Sequence, residues 1–427
     1  MKEYLIFGLG VSGQATIRSL QQEGASFVAT CDKFEEAKSN KECAPFLSHI
    51  ISPQEAFKRL KDCLAVISSP GITLSHPLLN EAKKSGIEII CDVELALRKK
   101  KASTALLAVT GTNGKTTTTE LICHMLNKKN LGAKCCGNIG VSLLDEIEGS
   151  APLVVELSSF QLMLMKTKAF QAGVVLNISP NHLDHHASFD EYSEAKLHLL
   201  DLVQNSNHFF LHESLKKTGG ATFGFEKSSY LFSDGENVFR EGKKESPLPI
   251  SLRNYFSHDT LNYLAAYAMT TSFGLDPELA GRAYADFKKP PHRIEFIRQV
   301  DCVSYFDDSK GTNIAAVICA VGQVPSPVVL IAGGLHKGEP YTSWKEAFNG
   351  KVRYIVAIGQ AAPLIEQDLK GSLEVIQATS LREAVLQAKK LAAPGGSVLL
   401  SPGCSSFDMF KDYKDRGNQF QAQVKSL

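Results

Sequence analysis

Ala105-Leu106-Leu107-Ala108-Val109-Thr110-Gly111-Thr112-Asn113-Gly114-Lys115-Thr116-Thr117-Thr118 opens as a β-rich apolar run and ends in a glycine turn followed by hydroxyls. The run has the length of a strand buried on both faces, and the turn leaving it leads into a helical pattern. A strand-to-helix turn ending in Gly-Lys-Thr reads as a phosphate-binding loop. Successive N–H groups would cradle the β- and γ-phosphates, Lys115 would neutralise them, and the Thr116 hydroxyl would ligate Mg²⁺. The general pattern has glycine five positions before Gly114, where this chain has Val109, so the loop is a shortened one. Consecutive threonines at a helix start are poorly explained by packing. An ATP or GTP site at Gly111–Thr118 is the firmest chemical expectation.

Two further blocks repeat the pattern: Tyr4-Leu5-Ile6-Phe7 before Gly8-Leu9-Gly10, and Val328-Val329-Leu330-Ile331-Ala332 before Gly333-Gly334. Short apolar runs such as Val66-Ile67-Ser68, Ile87–Ile90, Leu153–Val155, Val174–Leu176, Tyr354–Ala357 and Val398–Leu400 alternate with helical periods. They predict an α/β fold of parallel sheets covered on both faces. Gly8-Leu9-Gly10-Val11-Ser12-Gly13 fits G-x-G-x-x-G, and Asp32 follows at the end of the run Phe27–Thr30. Glycines there let backbone amides approach a pyrophosphate while the acid takes a ribose hydroxyl. This physics selects a nucleoside diphosphate but does not separate NAD from a UDP-sugar.

Downstream of the phosphate loop, Glu156 follows the run Leu153-Val154-Val155, where a carboxylate would hold Mg²⁺. Asn181-His182-Leu183-Asp184-His185-His186 follows another apolar run. Beside a nucleotide loop and oxygen-rich neighbours, this favours magnesium over zinc, with His182 as ligand and His185 and His186 on the surface. Lys196, in the amphipathic segment 192–197, reads from spacing alone as a helix lysine. Residues 207–255 read as β-strands and loops.

The chain has 427 residues, a length that suggests about three domains. Its 44% hydrophobic content supports packed cores. Lysine and arginine total 46 against 45 acids, and this near-neutrality argues against a nucleic acid or an anionic membrane as partner. No apolar run approaches the ~18–20 residues of a membrane span. The start, Met1-Lys2-Glu3-Tyr4, is unlike a signal peptide, so a cytoplasmic protein is expected. Ten cysteines without a C-x-x-C pair read as scattered free thiols in a reducing compartment. Arg98-Lys99-Lys100-Lys101 reads as a helix end and linker, and Lys288-Lys289-Pro290-Pro291 as a hinge.

Taken together the motifs resemble the Mur ligase family nearly end to end. The resemblance rests on Gly8–Gly13, Ser69-Pro70-Gly71-Ile72, Gly111–Thr116, Gly137-Asn138-Ile139-Gly140 and Glu156–Gln161. It continues through Asn181–Asp184, Ala195-Lys196, Pro291-His292-Arg293, Asp307–Asn313, Gly333–Lys337 and Leu400-Ser401-Pro402. The short first domain and the Asp308-Ser309-Lys310 stretch point to its D-glutamate-adding member. The resemblance implies three domains: a Rossmann-like UDP binder over 1–93, a central P-loop ATPase-type α/β domain over 94–289, and a Rossmann-like C-terminal domain over 290–427.

It also implies ATP-dependent addition of D-glutamate to UDP-N-acetylmuramoyl-L-alanine, with two Mg²⁺ ions, by a monomer acting on small molecules. Gly10, Val11, Ser12, Asp32, Lys33, Ser69 and Gly71 match positions that hold UDP. Gly111, Thr112, Asn113, Gly114, Lys115, Thr116, Thr117 and Thr118 match the ATP loop, and Asn262, Arg293 and Asp308 match further nucleotide contacts. Asn138 matches a position near phosphate and substrate. Glu156, His182 and Lys196 match the magnesium site with Thr116, the lysine being carbamylated in the family. Lys115, His182, Lys196 and Asn138 would be the catalytic set. Lys310, Thr312, Lys337, Ser406 and Phe407 match the D-glutamate pocket. Phe34 stands where an arginine is expected near the uracil, and Tyr413 where a phenylalanine is expected.

Overall fold

The computed structural model describes residues 2–100, 104–182, 185–253, 258–348 and 350–427. Lys101 of the basic run, and Leu183 and Asp184 of the histidine-rich motif, lie outside the described residues, as does the end of the 207–255 segment. Three sheets organise the described residues. The first contains β1 (Glu3–Phe7), β2 (Phe27–Thr30), β3 (Cys63–Ser68) and β4 (Glu88–Ile90), all parallel, in the order β2-β1-β3-β4. The order reverses between β1 and β3, so the crevice beyond their carboxyl ends is the natural ligand position for an open α/β sheet.

The second sheet is built from β5 (Leu106–Thr110), β6 (Lys134–Gly137), β7 (Leu153–Glu156), β8 (Ala172–Val175) and β9 (Phe209–His212). It continues with β10 (Ala221–Gly224), β11 (Leu231–Ser233), β12 (Asn237–Arg240) and β13 (Lys243–Pro247). Its order is β13-β12-β11-β10-β9-β8-β5-β7-β6, so β5 lies between β7 and β8. The third contains β14 (Glu295–Val300), β15 (Val303–Asp307), β16 (Val328–Gly333), β17 (Val352–Ile358), β18 (Glu374–Gln377) and β19 (Ser397–Leu400), in the order β14-β15-β19-β16-β17-β18. Parallel pairing dominates as the apolar runs predict, but β12, β13 and β14 pair antiparallel. The sequence shows why: β14 alternates in burial, and β13 is charged and Pro-ended, as suits edge strands rather than doubly covered ones.

The chain divides into two compact units, residues 1–178 with 192–287, and residues 179–191 with 288–427. In the first unit one apolar cluster runs from Ile6 and Ile17 through Leu97 and Leu106 to Phe209, joining two sheets in a continuous core. The buried Glu94 reinforces that junction. Its carboxylate accepts from the Lys166 and Thr167 N–H groups, the Thr167 hydroxyl and Arg98, which together hold it ionised below the usual carboxylate range despite burial. The second unit packs Trp344 and Tyr341 on one face of its sheet and Phe420 and Val424 of the last helix on the other. No described helix is long and apolar enough to cross a membrane.

Candidate functional site

At the end of β1 the chain turns through Gly8 into the helix Val11–Gln22. A Cβ on Gly13 would lie 1.9 Å from the Gly8 carbonyl oxygen, so only glycine lets this helix start against the turn. Gly10 caps that start without a side-chain hydrogen bond. Val11 is 71% exposed at the same place. Ser69 and Gly71 follow β3, and Asp32 and Lys33 follow β2, so all seven UDP-matched residues gather at the carboxyl ends of neighbouring strands.

Sequence reasoning missed His76. Its Nδ1 accepts from the Leu78 N–H at 3.1 Å, which places the ring proton on Nε2, and Nε2 donates to Asp32 Oδ1 at 3.0 Å. The only local signal was its position before Pro77 at a helix start. Lys33 pairs with Glu36, and Phe34 has the Lys38 ammonium 4.0 Å from its ring centroid.

The phosphate loop leaves β5 and enters the helix Lys115–Asn127. Gly114 caps this helix at φ +83°, and a Cβ there would come within 2.5 Å of Asn262 Oδ1. Asn262 thus packs directly on the loop and also accepts from the Thr118 hydroxyl at 3.2 Å. Asn177 braces the other side: its carbonyl accepts from Thr112 N–H, its Oδ1 accepts from Asn113 N–H, and its amide donates to the Asn113 carbonyl. Lys115 Nζ donates to the Gly111 and Thr112 carbonyls, both at 2.9 Å, and so lies over its own loop.

Glu156, the last residue of β7, is 2% exposed. Its Oε2 accepts from Thr116 Oγ1 at 2.9 Å and its Oε1 from Asn138 Nδ2 at 3.0 Å. Lys196, in the helix Phe189–Leu197, is also 2% exposed, with Nζ 4.6 Å from the Tyr192 ring centroid. Burial, reinforced by the positive charge of Lys115, drives its ammonium well below the usual lysine range, and Glu156 only partly opposes this. Spacing alone reads Lys196 as an ordinary helix lysine; the structure gives it a buried amine under the electrostatic influence of Lys115 and Glu156. Tyr192, whose hydroxyl lies 3.0 Å from Thr112 Oγ1, had no signal in the sequence.

The remaining site residues lie in the second unit. His182, at φ +56°, belongs to segment 179–191. With Asn181, Asn313, His336, Lys337 and Glu339 it lines a cavity of about 10 Å³, the scale of one water. His186 is buried, 3.7 Å from Glu191 through its Nδ1, which corrects the surface position expected for it. The expectation failed because the His186 N–H bonds back to the His182 carbonyl at 2.9 Å and the side chain is buried.

Asp308 and Lys310 follow β15, Lys337 follows β16, and Ser406 follows β19, all beyond the carboxyl ends of strands. Thr312 N–H donates to the Lys310 carbonyl, Ser406 is buried, and Phe407 is 71% exposed. Tyr413, which stands where a phenylalanine was expected, has the Lys310 ammonium 4.0 Å from its ring centroid. Arg293 neighbours His292, whose Nδ1 donates to Asp307 at 2.6 Å and whose pKa that bond raises. Arg416, fully buried, donates to Ser309 and to the Cys404 and Ser405 carbonyls and thereby fixes the Asp308–Lys310 loop.

Burial raises the Asp308 carboxyl to about 7, although Ser401 Oγ donates to it at 2.6 Å and Arg293 also opposes the shift. The folded state therefore keeps a proton that the unfolded chain releases near pH 3.9. This contribution to stability is complete below about pH 4 and is lost as pH rises through 7. Asp308→Asn, which removes the charge and keeps the shape, is expected to melt higher relative to wild type at pH 8 than at pH 5. Thermal melts at the two pH values check this; an equal difference at both would contradict it.

The family model for the Mur ligase middle domain matches residues 109–269, and that for the Mur ligase MurD-like N-terminal domain matches residues 2–91. The chain is 38% identical to the UDP-N-acetylmuramoylalanine--D-glutamate ligase of Protochlamydia amoebophila, over 100% of this chain and 98% of that one. It is 37% identical to the protein of the same name from Chlamydia caviae, over 99% and 97%. Among solved structures, a MurF ligase from Thermotoga maritima in complex with ADP is similar at TM-score 0.62 and 16% identity, covering 100% of this chain and 96% of that one. A pseudomurein peptide ligase type C from Methanothermus fervidus is similar at TM-score 0.63 and 17% identity, with 100% of both chains covered.

Proposed function

The chain belongs to the Mur ligase family, and we propose that it joins D-glutamate to UDP-N-acetylmuramoyl-L-alanine at the expense of ATP, in the synthesis of a peptidoglycan precursor. The observation that carries the reading is the phosphate loop with Thr116 and Asn138 both bonded to the buried Glu156. The full-length relatives of that name support the choice of amino acid and acceptor. One sheet falls in each of the proposed domains, 1–93, 94–289 and 290–427. The protein is proposed to work as a cytoplasmic monomer.

A carboxylate is a poor electrophile. The alanyl carboxylate attacks the γ-phosphorus of ATP, ADP leaves, and an acyl phosphate results. The D-glutamate amine then attacks its carbonyl, a proton leaves the nitrogen, and phosphate departs from the tetrahedral intermediate. Every reactant is anionic, so catalysis is mainly positioning and charge neutralisation. Lys115 and the N–H groups of Gly111–Thr118 take the phosphates, and Asn262, Arg293 and Asp308 the rest of the nucleotide. Lys310, Thr312, Lys337, Ser406 and Phe407 receive D-glutamate. Gly10, Val11, Ser12, Lys33, Ser69 and Gly71 hold the UDP group, with Asp32 on its ribose.

The residues present fit a magnesium site: Thr116 Oγ1 and Glu156 Oε2 lie 2.9 Å apart, close to the roughly 3 Å between adjacent ligands of an ion about 2.1 Å from each. Thr116, Glu156, His182 and a carbamylated Lys196 would hold up to two Mg²⁺, which when bound offset phosphate charge and polarise the transferred phosphoryl group. The neutral amine favoured at Lys196 is the form that adds CO₂ to give a carbamate, converting a would-be cation into an anionic ligand.

His76→Ala would free Asp32 and uncap its helix, and is expected to raise KM for the UDP substrate about fivefold with kcat little changed. Steady-state kinetics check this, and a fall in kcat at constant KM would contradict it. The acyl-phosphate route is tested with acceptor labelled with ¹⁸O in its alanyl carboxylate: label is expected in the released phosphate. Its complete retention in peptide and acceptor would overturn the route.

A further inference from the structure

Cys123 lies on the helix that carries Lys115 and Thr116, and Cys135 on β6, three residues before Asn138. Their sulfurs lie 2.6 Å apart. Non-bonded carbons settle at about 3.5–4.0 Å, and sulfur is larger, so this is not an ordinary packing contact. A disulfide bond measures about 2.05 Å, so the two sulfurs have only about half an ångström left to close. We propose that Cys123 and Cys135 are a redox modification site, oxidised by a peroxide to a reversible disulfide that staples the phosphate-loop helix to the strand leading to Asn138.

Access is asymmetric, which sets the order of events. Cys135 is partly exposed, whereas Cys123 is buried. The bond with the neighbouring Cys135, and then burial, disfavour the thiolate of Cys123, so Cys135, the more accessible thiol, meets the oxidant first. Its thiolate attacks hydrogen peroxide, the O–O bond breaks, and Cys135 becomes a sulfenic acid with release of hydroxide. The Cys123 sulfur then attacks the Cys135 sulfur, the S–O bond breaks, and the Cys123 proton leaves with the oxygen as water. The sum is two thiols and one peroxide giving one disulfide and two waters.

Cys136 does not compete. It points to the opposite face of β6, is fully buried, and directs its thiol toward the Val154 carbonyl. The pair is separated by twelve positions and follows no C-x-x-C spacing, which is why reading the cysteines along the chain gave only scattered thiols. Both ends of the staple belong to the first compact unit. The inference does not depend on the ligase reaction.

The test is full-length protein treated with hydrogen peroxide, quenched by alkylation and mapped by mass spectrometry without reduction. The expected result is a cross-linked peptide joining Cys123 to Cys135, about 2 Da lighter than the two thiol peptides together, and lost on adding dithiothreitol. Cys135→Ser, at a partly exposed position, should abolish it. In Cys123→Ala the resolving thiol is gone, and Cys135 should proceed to sulfinic acid at peroxide doses where the wild type stops at the disulfide. Finding both residues alkylated after treatment, or the same extent of Cys135 sulfinic acid in wild type and Cys123→Ala, would overturn the proposal. The exposed Cys302 supplies the internal control, since its oxidation shows that the oxidant was active.

Discussion

Lys115→Ala is expected to lower ATP-dependent ligation on the order of 10³-fold while leaving the protein folded. The size follows from what the ammonium faces. Phosphoryl transfer leaves little covalent work for a protein, so a cation fixed over the phosphate loop supplies stabilisation that solvent cannot replace. Lys115 is held there by its two 2.9 Å bonds to the Gly111 and Thr112 carbonyls. The fold should survive because Lys115 is only partly buried, and each lost hydrogen bond is worth about 1 kcal/mol. The rest of the loop remains braced by Asn177 and Asn262. Phosphate release and a thermal melt on the same preparation check both halves; activity within tenfold of wild type would remove Lys115 from the phosphate site.

Lys196→Ala is expected to lose activity by on the order of 10²-fold or more and to regain part of it with added short carboxylic acids. A buried ammonium beside Lys115 would repel a divalent cation, whereas a carbamate would bind one. The environment already disfavours the ammonium, first through burial and then through Lys115. The same logic makes wild-type activity fall when CO₂ and bicarbonate are stripped from the buffer and recover when they are restored. Lys196→Ala with more than a tenth of wild-type activity would contradict the assignment. So would wild-type activity indifferent to bicarbonate together with a variant that no acid rescues.

What could be read from the sequence was what is local in it. The two glycine loops declare themselves because a strand, a tight turn and a helix start are consecutive in the chain, and Glu156 follows directly from the end of an apolar run. The braces of those loops are distant in sequence: Asn177 on Asn113 is separated by 64 residues and Asn262 on Thr118 by 144. His76 on Asp32 and Arg416 on Ser309 are of the same kind. Asn262 and Lys196 were reachable through family resemblance alone, since neither residue type nor spacing marks them. His186 shows the opposite failure, a polar residue assigned to the surface by type and buried in the fold. The antiparallel edge strands were hidden because apolar runs report burial and leave strand direction open.

The central claim is tested most directly by phosphate release from ATP with Mg²⁺ and UDP-N-acetylmuramoyl-L-alanine, comparing D-glutamate with L-glutamate, L-alanine and meso-diaminopimelate. Release with D-glutamate alone, and only when the UDP substrate is present, is the predicted result. Equal or greater release with any of the other amino acids, or release that ignores the UDP substrate, would contradict it.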